Sequence, residues 1–145
     1  MNALRNRRRA MMAQASGPAP SGDLYPVGTD IIEMYIRNQS GFELGQINNS
    51  GVFINAESTP PYTGSNYASG VFIPIDPAYT YTKHHRVSPI AYYAEDNEAS
   101  FIARGTAYNT TGDAVIEGIP ENARYCRIGT GNATAADAVT LTRTA

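Results

Sequence analysis

The chain has 145 residues, 42% of them hydrophobic, and a formal charge of −2 from 11 basic and 13 acidic side chains. That length supports one domain with a proper hydrophobic core. A single cysteine, Cys126, excludes an intrachain disulfide, and no long apolar run offers a membrane-spanning helix.

The charge is unevenly placed. Arg5, Arg7, Arg8 and Arg9 fall within the first ten residues, and no acid precedes Asp23. From Asp23 onward thirteen acids face seven bases, so a strongly basic arm precedes a mildly acidic body. Residues 2–16 predict a short helix, with Asn2 as a cap and Ala, Leu, Arg, Met and Gln as good helix formers. Leu4, Arg8, Met11, Met12 and Ala15 then share a face, and Arg5 and Arg9 stack along another. No apolar core follows the arginines, so the segment does not read as a secretory signal. Such an arm can be a solvated tail, can touch phosphates, or can dock on another subunit. No aromatic residue is interleaved for base stacking, so nucleic acid is not the expected partner. Residues 1–16 read as an assembly arm acting through Leu4, Arg5, Arg7, Arg8, Arg9, Met11 and Met12. Residues 17–29 form a linker stiffened by Pro18 and Pro20.

From residue 30 to 145 short strand patterns alternate with turn signals at roughly ten-residue spacing, which predicts an antiparallel sandwich or barrel. Ile31–Arg37 reads as a strand with Ile32, Met34 and Ile36 on one face. Phe42–Ile47 follows as a second strand, and Asn48 to Gly51 as a turn before the apolar Val52–Ile54. Glu57–Ser69 lacks periodicity and reads as a long loop, of the kind that is usually functional. Its Tyr62 and Tyr67, with Asn66, suit a ligand-binding surface, although the same tyrosines can simply anchor the loop. Val71, Ile73 and Ile75 share one side of an extended stretch, and Pro74 excludes a central, fully paired strand there. Asp76 to Ala78 is a turn, and Tyr79 and Tyr81 restart the alternation.

Lys83, His84, His85 and Arg86 read as a polar loop, and adjacent histidines on a strand would face opposite ways rather than share a metal. Ile90–Ala94 is the next strand. The acidic turn Glu95–Glu98 lacks the spacing of a calcium loop and reads as solvated. Ala114–Ile119, Tyr125–Ile128 and Val139–Thr142 supply the remaining strands, with a turn at Gly129–Asn132. Cys126 reads as a small apolar residue on a strand face.

These residues carry a resemblance. The pairing of Ile73, Pro74 and Ile75 with Tyr79, Thr80 and Tyr81 is similar to a jelly-roll β-sandwich module of bacteriophage tail and head-fibre proteins. So are Tyr92 to Asn97, Ile119 and Pro120 with Ala123, Tyr125 and Arg127, and the opening Glu43, Leu44, Gly45, Ile47 and Asn48. That module is related to carbohydrate-binding modules and covers roughly residues 30–145. The resemblance implies an all-β antiparallel jelly roll preceded by the basic arm, located in the virion. Its implied partners are other virion proteins, reached through the arm in a multicopy or homo-oligomeric assembly, and a host surface glycan.

No nucleophile elbow, phosphate-cradling glycine loop or metal-binding His-x-x-x-His pattern occurs, so no enzymatic activity, metal or cofactor is expected. Two non-enzymatic classes remain: a virion structural protein, and a stand-alone carbohydrate-binding module in which tyrosines stack on sugar rings.

Overall fold

The computed structural model describes residues 24–145. The assembly arm, including Leu4, Arg5, Arg7, Arg8, Arg9, Met11 and Met12, and residues 17–23 of the linker lie outside the described residues. The strands are β1 Glu43–Ile47, β2 Phe53–Asn55, β3 Tyr67–Ala68, β4 Ile73–Pro74 and β5 Tyr81–His84. They continue with β6 Ile90–Tyr93, β7 Phe101–Arg104, β8 Ala114–Val115, β9 Tyr125–Thr130 and β10 Thr140–Arg143. Every strand pairing is antiparallel, so the fold is all-β as the turn spacing predicts. Among the described residues, helix is confined to the stretch 31–37, with its π-helical segment Glu33–Arg37, a 3-10 turn Glu98–Ser100 and the helix α1, Ala133–Ala138.

One sheet runs β2-β1-β3-β9-β6-β7, and a smaller one runs β10-β5-β8. β9 is the spine of the larger sheet. On one side it pairs with β6, Ile128 opposite Ile90 and Tyr125 opposite Tyr93. On the other it takes β3 and β4 end to end, Gly129 opposite Ala68 and Cys126 opposite Ile73. Pro74 therefore sits in a two-residue strand that is paired on one side only, which suits a residue lacking an N–H.

Alternation sorts the side chains into two cores. Ile73, Ile90, Tyr92, Cys126 and Ile128 meet Tyr81 and Leu141 of the smaller sheet in the main core. Ile47, Ala68, Ala91 and Tyr93 face the other way and pack with Phe53, Phe72, Phe101 and Tyr125. These residues all belong to strands of the larger sheet or to their connections, so that sheet curls over itself into a half-barrel. β6 is consequently buried on both faces.

Arg127 points into the curl. Its guanidinium lies 4.0 Å from the Phe72 ring centre, donates to Gly70 O at 2.9 Å and pairs with Glu98 at 2.6 Å. The same carboxylate accepts the Phe53 N–H at 3.0 Å, which ties the edge strand β2 to the pair. Gly51 O accepts from both Arg127 and the Tyr93 hydroxyl. Gly51 has a φ of +76°, and a Cβ there would fall 2.2 Å from the Phe101 ring, so only glycine fits.

Four expectations are corrected. Residues 31–37 are helical, not a strand. Asp30 accepts the Ile32 N–H at 3.0 Å, and Arg37 reaches back one turn to Glu33 at 3.3 Å. Gly41, at φ +76°, ends the turn by donating to Ile36 O at 2.8 Å. Lys83 is not in a polar loop but in β5, fully buried, where its ammonium donates to Thr110 O at 2.8 Å and Gly112 O at 2.6 Å. Of the strand expected over Ala114–Ile119 only Ala114–Val115 forms one, and Ile119 is half-buried at the edge of the main core. Asn132 does not close a turn; its side chain caps α1 by accepting from the Ala135 N–H at 2.8 Å.

Ile128→Ala should cost about 2–5 kcal/mol, because a fully buried branched side chain leaves a cavity on the spine strand. Chemical denaturation measures this, and an unchanged midpoint would mean that the β9 register is wrong. A second prediction concerns pH. Burial alone would raise the Glu98 carboxyl, but hydrogen bonds from Arg127 and the Phe53 N–H, with the Arg127 charge, hold it below the usual range. Its contribution is therefore fully present above about pH 4.3, the unfolded value, and is lost as pH falls through the lower folded value. The melting temperatures of the native protein and Glu98→Gln should converge as pH is lowered from 6 towards 2. A constant gap would exclude the ion pair as its source.

Candidate functional site

Chemistry-bearing groups in the body are mostly committed elsewhere. Cys126 is fully buried, and burial pushes its thiol well above the usual range, which leaves no thiolate at neutral pH. His84 pairs through Nδ1 with Asp113 at 2.6 Å, whereas the His85 Nδ1 accepts the Arg86 N–H at 3.0 Å. Among the described residues, no three of His, Cys, Asp and Glu gather to hold a metal ion. In the acidic turn, Asn97 caps the 3-10 turn through the Ser100 N–H, and Glu98 is drawn inward by Arg127. No helix among the described residues is long and apolar enough to cross a membrane.

A surface cleft of about 350 Å³ lies where the π-helical segment, β3 and α1 meet. Arg37 and Gly41 line it from the helical side, Phe42 and Tyr67 supply aromatic walls, and Ala133, Ala136 and Asp137 come from α1. Arg37 holds the parts together. Its guanidinium donates to Ala136 O at 3.1 Å and to Val139 O, and it is offset by Glu33 at 3.3 Å and Asp30 at 4.0 Å. The left-handed Gly41 turns the chain so that Phe42 leads into β1. Tyr67 is fixed by pairing on both sides, with Leu44 of β1 and Thr130 of β9.

Asp137 is different. It is the fifth residue of the six-residue α1, in the last turn, where the negative end of the helix disfavours a carboxylate. No basic side chain occupies that turn. The cleft thus offers two aromatic rings beside an exposed acceptor, an arrangement able to take a hydroxyl-rich ring or a cation.

Of the residues singled out from sequence, the cleft takes Tyr67 and leaves out Tyr62 and Asn66. The Tyr62 hydroxyl accepts the Asn66 N–H at 2.9 Å, and its own N–H donates to Asn55 O at 2.9 Å, so this tyrosine anchors its loop. Arg37, Phe42 and Asp137 went unnoticed. Asp30 three residues ahead of Glu33 is a helix-start signal, and Asn132 ahead of an alanine-rich run is another. Those signals would have brought both helical walls of the cleft into view.

No family model matches the chain, and no curated protein or solved structure was found to match it. What fold and cleft together define is an antiparallel all-β body with a small aromatic and acidic surface site.

Tyr62→Phe removes the acceptor for the Asn66 N–H and should lower stability by about 0.5–1 kcal/mol, the net worth of an exposed hydrogen bond. Thermal unfolding and proteolysis within 56–66 report it. A loop as resistant as in the native protein would deny the anchor.

Proposed function

We propose that the chain is a bacteriophage virion structural protein. The basic arm, residues 1–16, anchors it among other virion proteins, and a jelly-roll β-sandwich of residues 30–145 is displayed in several copies. The observation that carries this reading is the division of charge. Four arginines and no acid fill the first sixteen residues, whereas the described body holds twelve acids against seven bases. Support also comes from the body's construction, in which buried Arg127 and Lys83 tie loops to strands and make a firm building block. The jelly-roll connection itself rests on the sequence resemblance.

A second reading, a stand-alone carbohydrate-binding module, is favoured by the cleft alone. Tyr67 and Phe42 can stack on a sugar ring while Asp137 accepts its hydroxyl hydrogens. In the virion reading the same cleft is the place for a secondary contact with a host glycan.

Deleting Met1 to Gly22 should leave a folded, soluble body that no longer joins the particle. Circular dichroism and particle incorporation are the measurements, and full incorporation without the arm would overturn the anchoring role. Glycan binding by the full chain that disappears in Tyr67→Ala, together with normal thermal stability, would move the assignment to the carbohydrate-binding module.

A further inference from the structure

We infer that the cleft between the π-helical segment and α1 is the receptor for the basic arm of a neighbouring copy. One arm arginine lies against Tyr67 and Phe42 and pairs with Asp137. This rests on the assembly reading above and supplies the arm's partner.

The first support is where the body keeps its charges. Each of the seven described Lys and Arg side chains donates a hydrogen bond within the body. Arg86 bonds Asn109 O, Arg104 bonds Asn49, Arg124 bonds Glu121 O, and Arg143 bonds Tyr25 O. Five of the twelve described carboxylates are not so engaged. Glu57, Asp96, Glu117, Glu121 and Asp137 have no side-chain hydrogen bond or ion pair among the described residues. Every described cation is thus engaged within the body whereas five exposed carboxylates are not, and the arm carries the complementary sign.

Asp137 is the one of those five that lines the cleft, beside two aromatic rings. A guanidinium is the side-chain group that satisfies both at once, stacking on rings while it pairs with a carboxylate. Arg37 does not repel it, because Glu33 and Asp30 already offset that charge. The carboxylate is also held against the electrostatics of its own helix end. Such a local conflict marks a function rather than a structural need.

The chain joins the body nearby. The Leu24 N–H donates to the Tyr79 hydroxyl, and the Tyr25 ring packs edge-on against Tyr35, in the segment that also presents Arg37. Residues 17–23 reach about 23 Å at full extension. Pro18 and Pro20 keep such a linker stiff, which favours delivery to a neighbour over folding back.

The test uses the full chain in sedimentation at low and high salt. The native protein should self-associate with rising concentration, less so at high salt. Asp137→Asn should weaken association about threefold and Asp137→Arg about tenfold. Arg7→Glu, Arg8→Glu and Arg9→Glu together should weaken it comparably, and combining that triple change with Asp137→Arg should restore it. Melting temperature is the folding control, because Asp137 is exposed and a base suits a helix's last turn. A native chain that stays monomeric at every concentration, an unaffected Asp137→Arg variant, or a swap that restores nothing overturns the inference. If arm deletion abolishes particle incorporation while Asp137→Arg incorporates and associates normally, the virion reading stands and the arm's receptor is another virion protein. If deletion leaves incorporation intact, the virion reading itself falls. Glycan binding lost in Asp137→Arg with unchanged association would give the cleft to a sugar and overturn its role as arm receptor.

Discussion

The body is built around a charge that has nowhere else to go. Arg127 stands between Cys126 and Ile128 on the spine strand, and alternation sends it into the curl of the larger sheet rather than to solvent. A guanidinium there is tolerable only if its donors are met, because an unpaired buried charge costs several kcal/mol. Glu98, Gly70 O and Gly51 O meet them, and each brings a different connection to the same point. Phe53, Phe72 and Tyr93 close around the cation, within 4.0 to 5.9 Å of their ring centres. The curl, the edge strand β2 and the 3-10 turn are thus positioned by one residue.

The same device recurs wherever strands are too short to hold a segment. β8 has two residues, and the loop before it is secured by the Lys83 ammonium through Thr110 and Gly112. Arg37 joins the π-helical segment to α1, and Arg143 lies 3.5 Å from the Tyr79 ring centre while bonding Tyr25 O. Hydrogen bonds from charged donors are worth roughly 1.5–3 kcal/mol each, against about 0.5–1.5 for a neutral one. Cations serve here as clamps.

How much of this was readable depended on periodicity. β10 was legible because its residues alternate, β1, β6 and β9 as short runs bounded by turn signals, and Ile73, Ile75 and Ile128 are buried. The helical stretch 31–37 was not, because isoleucine and tyrosine favour strands and Ile32, Met34 and Ile36 mimic a period of two, although Met34 is exposed and the adjacent Ile31 and Ile32 are both buried. Lys83 looked like loop because its neighbours are polar; only the distant Thr110 and Gly112 make it a buried residue. Of the cleft, Tyr67 alone was visible. Its other walls belong to segments far apart in sequence, and no local pattern links residue 37 to residue 136.

Asp30 has a further consequence, which concerns the order of events. Its carboxylate accepts the Leu141 N–H at 3.0 Å as well as that of Ile32, and its backbone bridges to Thr142. β10 in turn completes the smaller sheet by pairing with β5. On a ribosome, the first residues of the body must wait for the last before either is satisfied. Such long closures fold slowly, on the scale of milliseconds to seconds. Until then β5 lacks β10 along one edge, and the smaller sheet stands incomplete.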